Sequence, residues 1–181
     1  MGDRMNSAIL YLDCDGVILD TIDEAYCMMK ELGLDTSDQI LVNKFFRMVD
    51  WNILILRAGI LKDSISKIKK IITSATFKDV VILTKISGNL NEESVKRTLF
   101  NKLLPGVRVI TVNFNDNKDE VVDPINNILV EDTLSNALRW RNAGGIGLYF
   151  VKENPDFLND EIADLSEITS AFGVQKVLKR I

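Results

Sequence analysis

The sequence predicts an α/β protein, a parallel sheet wound on both sides by helices, with a small helical insertion after the first strand. Three observations predict it. Continuous apolar runs such as Ala8 to Leu12 and Ile128 to Val130 have the length of strands buried on both faces. The later runs alternate with helix-period stretches at the spacing of strand–helix–strand units. Each of the first four runs also ends in a polar residue: Asp13, Thr84, Asn113 and Glu131.

The elements follow in order. Ala8–Leu12 forms the first strand. Thr21 with Glu24 fits a capping box that opens a helix, and Gly33 closes it. Ser37 or Asp38 opens a second helix with apolar positions Ile40, Leu41, Phe45, Phe46, Val49 and Ile53. Its reach to Gly59 is long enough that it bends or breaks. A third pattern places Ile65, Ile68, Ile71 and Ile72 on one face, with Lys67, Lys69 and Lys70 on the wet side. Beyond it come the strand Val80–Leu83, the helix Glu92–Leu103 ended by Pro105–Gly106, and the strand Val107–Val112. The strand Ile128–Val130, the helix Thr133–Ala143 and the strand Ile146–Val151 complete the pattern. The core unit is thus read as 1–20 and 77–181, and the helical insertion as 21–76.

Composition bounds the chemistry. A chain of 181 residues with 46% apolar and 27% charged residues is ordinary for one globular domain. Its 22 basic and 26 acidic residues leave a net charge of −4, which disfavours a nucleic-acid polymer as partner. Histidine is absent, which excludes His-based triads and His-ligated zinc. Cys14 and Cys27 have no metal-ligand spacing and read as reduced thiols, Cys14 as a small buried hydrophobe. The apolar run at Ala8 is far short of the roughly 20 residues of a membrane-spanning helix. A cytoplasmic protein with no membrane partner is expected, and the sequence carries no signal for oligomeric state.

The most informative string is Leu12-Asp13-Cys14-Asp15-Gly16-Val17. Two carboxylates two residues apart follow a strand, at the carboxyl edge where open α/β sheets bind ligands. Asp132 ends a later strand at the corresponding place. Taken singly, each such Asp reads as a turn or cap residue. Three acids at one edge repel each other unless a cation joins them, and hard oxygen donors favour magnesium.

Asp13-x-Asp15-Gly16-Val17 resembles the first motif of the haloacid dehalogenase-like phosphohydrolases. Thr84 after Val80–Leu83 is similar to their second motif, Lys118 to the third-motif lysine, and Glu131-Asp132 to the acidic fourth motif; Asn136 and Ala143-Gly144-Gly145 extend the likeness. Lys85 competes with Lys118 for the lysine position, and the order of the motifs favours Lys118. The resemblance implies the sheet order 5-4-1-2-3 and a cap formed by the insertion. It implies Mg²⁺-dependent hydrolysis of a small phosphomonoester, a nucleotide or a sugar phosphate, through an aspartyl-phosphate. Asp13 would be the nucleophile and Asp15 the general acid and base. Asp13, Asp132 and the Asp15 carbonyl would hold Mg²⁺, with Glu131 and Asn136 at the metal or its waters. Thr84 and Lys118 would bind phosphoryl oxygens. In the cap, Arg47 would pair with a second anionic group, and Trp51 either stacks on substrate or packs in the cap's own core.

Two other classes compete. Response-regulator receivers share aspartates, Thr and Lys, but their acidic pair precedes a later phosphorylated Asp, and they have no helical insertion. A non-catalytic relative that binds a phosphorylated ligand or partner is the second alternative.

Overall fold

The apolar runs form strands of one sheet whose neighbours all pair in parallel. The structure, a computed structural model, describes residues 7–152, 161–162 and 164–168. The expected core's outer stretches, 1–6 and 169–181, therefore lie outside the described residues. The strands are β1 (Ile9–Leu12), β2 (Asp79–Ile86), β3 (Arg108–Asn113), β4 (Ile128–Glu131), β5 (Ile146–Phe150) and β6 (Glu161–Ile162). Their order is β3-β2-β1-β4-β5-β6, which is the expected 5-4-1-2-3 with a two-residue strand added beyond β5. Two residues are too few to show a strand pattern in sequence.

The helices are α1 (Thr21–Glu31), α2 (Gln39–Met48), α3 (Trp51–Ala58), α4 (Ser64–Thr73), α5 (Glu92–Leu103), α6 (Lys118–Val121) and α7 (Leu134–Asn142). The long second helix of the sequence pattern breaks at Val49–Asp50. There the Asp50 side chain accepts the Asn52 N–H at 2.9 Å and starts α3 as a separate helix. The capping box expected at Thr21 does not form. Thr21 is the first residue of α1, behind the N-cap Asp20, and its hydroxyl donates to Asp15 Oδ1 instead.

Strand alternation sorts the core into two layers. Leu10, Leu12, Ile82 and Val130 point to one face, where they meet Ile65, Ile68 and Ile71 of α4 and Phe100 of α5. Tyr11, Val81, Leu83 and Leu129 point to the other, against Trp140 of α7. Burial on both faces explains why these strands read as unbroken apolar runs. A third, smaller cluster joins Ala25 of α1 with Trp51 and Leu54 of α3. The expected insertion 21–76 is therefore heterogeneous: α4 packs into the sheet's own core, while α1 and α3 pack with each other. No described helix is long and apolar enough to cross a membrane.

Candidate functional site

β1 and β4 are neighbours, so their ends bring Asp13 and Glu131-Asp132 to the same edge of the sheet. The Asp13 N–H continues the ladder by donating to the Val130 carbonyl at 3.0 Å. The chain then turns sharply. Ile18 and Leu19 N–H groups both return to the Cys14 carbonyl, and Gly16 takes φ +76°. A Cβ at Gly16 would lie 1.9 Å from Asp132 Oδ2, so only glycine lets the β1 loop pass this close to the β4 carboxylate.

Carboxylate oxygens of Asp13, Glu131 and Asp132 lie within 4.8 Å of one another. Lys118, at the start of α6, is buried between two of them: its Nζ is 2.8 Å from Asp13 Oδ1 and 2.6 Å from Glu131 Oε2. The alternative Lys85 lines the same cleft but makes neither contact. Burial and the nearby Glu131 charge raise Asp13 well above the ordinary carboxylate range, in spite of Lys118. The same two causes push Asp132 up to about 7. Burial alone would raise Glu131 too, but the Lys118 charge and hydrogen bond hold it below its usual value. Three hard oxygen donors this close together, with Asp13 and Asp132 raised by burial and by the Glu131 charge, suit a divalent cation such as Mg²⁺. The donor set of Asp13, Asp132 and Glu131 therefore fits such a metal.

Asp15 stands apart from that cluster. Its Oδ1 accepts from the Thr21 hydroxyl at 2.6 Å, and its Oδ2 from Lys96 Nζ at 2.6 Å. Lys96 is fully buried in α5 and also reaches Glu92 Oε1 at 2.7 Å and Thr84 Oγ1 at 3.1 Å. Its ammonium sits 4.5 Å from the centroid of the Trp51 ring. Although burial opposes the charge, Asp15 and Glu92 keep Lys96 above the ordinary lysine range. Thr84 lies beneath Asp15 rather than in the cleft wall; its hydroxyl is fully buried, 3.3 Å from Asp15 Oδ2 and 3.2 Å from the Lys85 carbonyl. Sequence reasoning missed Lys96 altogether. Its only signal was the Glu92–Lys96 spacing of four residues, which describes any solvated helix pair.

The site opens into a cleft of about 590 Å³, whose floor holds Asp13, Asp15, Lys118, Glu131 and Asp132, with Asn136 beside them. Its other wall comes from α2 and α3 and includes Gln39, Asn43, Phe46 and Trp51. Trp51 is buried in the small cluster with Ala25 and Leu54, and it also borders the cleft. Arg47 is not among the described residues that line the cleft, although Phe114, the ring it covers, is. Its guanidinium lies over the Phe114 ring, 5.3 Å from the centroid, and the side chain is exposed. Cys14 is buried, and burial followed by the Asp15 charge raises its thiol well above the usual range, which keeps it protonated and inert. A slightly larger, mainly apolar cleft of about 650 Å³ between α3 and α5 contains none of the carboxylates.

The α2 wall is fastened to the sheet. Asn89 Nδ2 donates to the Arg47 and Val49 carbonyls at 2.9 Å each, and Ser87 Oγ donates to the Phe46 carbonyl at 3.0 Å. Glu92 Oε2 in turn accepts from the Ser87 N–H at 2.6 Å. A continuous polar chain thus links the end of α2 through Ser87, Glu92 and Lys96 to Asp15.

No family model and no curated protein matches the chain. Solved structures do. A haloacid dehalogenase-like family hydrolase from Xanthomonas campestris superposes with a TM-score of 0.60 at 14% identity, covering 98% of this chain and 96% of its own. A HAD-superfamily hydrolase of subfamily IA from Geobacter sulfurreducens gives 0.59 at 14% identity, over 90% of this chain and 98% of its own. A HAD-hydrolase from Bacillus subtilis, solved with magnesium bound, gives 0.54 at 13% identity, over 92% and 98%. At such identities the likeness speaks for the fold, and with the sheet order and the carboxylates at its edge it leads to one assignment: the chain has the haloacid dehalogenase-like fold.

Proposed function

We propose that the protein is a Mg²⁺-dependent phosphohydrolase that cleaves a small phosphomonoester through an aspartyl-phosphate. One observation carries the reading: Asp13 borders the cleft at the carboxyl edge of the sheet, ion-paired to Lys118 and clustered with Glu131 and Asp132. The hydrolase neighbours and the magnesium in one of them support it.

Asp13 attacks phosphorus, and the bond from phosphorus to the leaving oxygen breaks. Asp15, entering the step as the free acid, gives that oxygen its proton, and its carboxylate, the form paired with Lys96, then takes one from the water that releases phosphate from Asp13. Thr21 and Lys96 fix the plane of the Asp15 carboxylate for both transfers. Lys118 faces the negative charge that the phosphoryl group brings as the carboxylate of Asp13 becomes an acyl phosphate. The Asp13 and Asp132 side chains, with the Asp15 carbonyl, would hold Mg²⁺, which supplies positive charge against the phosphoryl oxygens. We assign the cap to α1–α3 and return α4 to the core, because α4 shares the sheet's apolar cluster.

Purified protein should hydrolyse p-nitrophenyl phosphate with Mg²⁺, and lose that activity in EDTA or on Asp13→Asn. Activity that survives both treatments would remove the mechanism. One observation favours a binding-only reading: both Asp15 oxygens already accept hydrogen bonds within the protein. Tight binding of phosphorylated ligands with no turnover across a phosphate panel would select that reading.

A further inference from the structure

We infer that the apolar groove between α3 and α5 is the seat of a second copy of this chain, so that the protein forms a two-fold dimer through this face. The inference does not depend on the chemistry of the carboxylate cleft, because no described residue lines both.

The groove has a volume of about 650 Å³. Leu19 and the half-buried Ile55, Leu99 and Leu103 line its depth, where they join the apolar cluster of the sheet. Leu56 and Ile60 line it as well, yet they remain 84% and 48% exposed. Ile53, next on α3, and Leu90, just before α5, are exposed too. Large apolar side chains gathered on one side of a chain mark a contact surface.

The charge of this face favours a copy of itself. Asn52, Asn91, Ser94 and Thr98 are neutral, and Lys102 is the single ionisable side chain among the described lining residues. Interface centres are depleted of charge in the same way. Two chains of net charge −4 repel each other, and here they can meet without bringing rows of acids together.

The ends of the groove set the orientation. α3 and α5 start side by side, where Asp50 Oδ1 accepts from Asn91 Nδ2 at 3.1 Å and from Asn52 Nδ2 at 3.0 Å. Lys102 stands near the far end of α5, about 17 Å from Asn91 by the rise of a helix. Neither Asp50 nor Lys102 has an ion-pair partner among the described residues. One end is therefore acidic and the other basic. A two-fold axis across the groove sets the helices of the two copies antiparallel, and each contact of a symmetric pair occurs twice. Lys102 of each copy then meets Asp50 of the other, and the Leu56–Ile60 rim of each covers the other's groove.

The test is sedimentation equilibrium of the full-length chain and three variants, with circular dichroism as the check on folding. Wild type should be dimeric at micromolar concentration. Leu56→Asp, a change at an exposed site, should weaken the dimer about a hundredfold or more, because it seats a carboxylate against apolar side chains twice. Lys102→Glu and Asp50→Lys each set like charges against each other at both ends, and each should weaken it about tenfold or more. Mixing these two variants should restore the dimer, because a copy carrying two bases then faces a copy carrying two acids. That recovery also shows that both variants fold, although Asp50→Lys gives up the cap of α3. Wild type that stays monomeric up to millimolar concentration would overturn the proposal and leave the groove to another occupant. A dimer that none of the variants weakens would overturn it by placing the contact elsewhere. Folded charge variants that weaken the dimer but do not recover on mixing would contradict the antiparallel pairing, and the proposal with it.

Discussion

Lys96 and Asp15 come from elements 81 positions apart and meet at 2.6 Å, with the lysine wholly shielded from water. The pair joins α5 to the loop that follows β1. Since Lys96 also holds Glu92, one ammonium balances two carboxylates in the interior.

Lys96→Met should therefore be among the most destabilising single changes in the chain. It leaves Asp15 and Glu92 without their counter-charge, and breaking a buried pair costs about 3–5 kcal/mol. Urea unfolding measures this directly. Adding Glu92→Met to the variant should recover part of the loss, because one orphaned charge is removed with it. A loss below about 1 kcal/mol in the single variant would mean the pair is open to solvent.

Gly16→Ala should weaken the metal site while β1 still pairs with its neighbours. The added Cβ would overlap Asp132 Oδ2, and the positive φ is strained for alanine. Calorimetric titration with Mg²⁺ or Mn²⁺ should show affinity reduced about tenfold or more, the scale of loss seen when groups that orient metal ligands are disturbed. Unchanged affinity would place the cation away from Asp132.

The pH dependence of the metal-free protein follows from Asp132. Its pKa rises from 3.8 to about 7 on folding, so between those values the folded chain holds a proton that the unfolded chain has lost. That contribution is complete below about pH 4 and disappears as pH climbs to about 7. Asp13, raised for the same reasons, acts in the same direction. In EDTA, wild-type Tm should accordingly fall more steeply over this window than that of Asp132→Asn. Mg²⁺ should raise Tm more at pH 8 than at pH 5. A parallel course for wild type and Asp132→Asn would contradict the proposed burial of this carboxylate.

Asn89→Ala should loosen the cap. Asn89 supplies donors to carbonyls at the end of α2, where a helix has none of its own. Loss of these bonds costs about 1–2 kcal/mol. Hydrogen exchange should accelerate in α2 and in α3 beyond it, while β1 and β4 remain protected. Equal acceleration in the central strands would mean that Asn89 supports the whole fold.

The frame of the fold was legible because burial on both faces writes itself as continuous apolar runs, and the positions of Asp13, Glu131 and Asp132 follow from strand ends, whereas Lys118 came from the resemblance. The rest depended on contacts between distant segments. Thr21 reads locally as a cap, yet a carboxylate from the preceding loop captures its hydroxyl. Arg47 reads as a cation facing substrate, and the structure sets it over Phe114, a ring from the loop after β3 that itself lines the cleft. Lys96 reads as the wet face of a helix because nothing near it in sequence announces Asp15. The helix over 38–59 has one apolar pattern, and only the Asp50 cap divides it. The second role of α4, packing on the sheet rather than in the cap, is invisible to a periodicity that gives a face but not its partner.

The central claim is that Asp13 becomes the phosphoryl carrier. It is tested most directly by quenching Mg²⁺-loaded protein during turnover, reducing it with borohydride and mapping the peptides. An acyl phosphate at Asp13 is reduced to homoserine, so the account predicts that residue at position 13, dependent on substrate and Mg²⁺ and absent from Asp13→Asn. Phosphate released at full rate with position 13 unmodified, or the label recovered at another carboxylate, would contradict it.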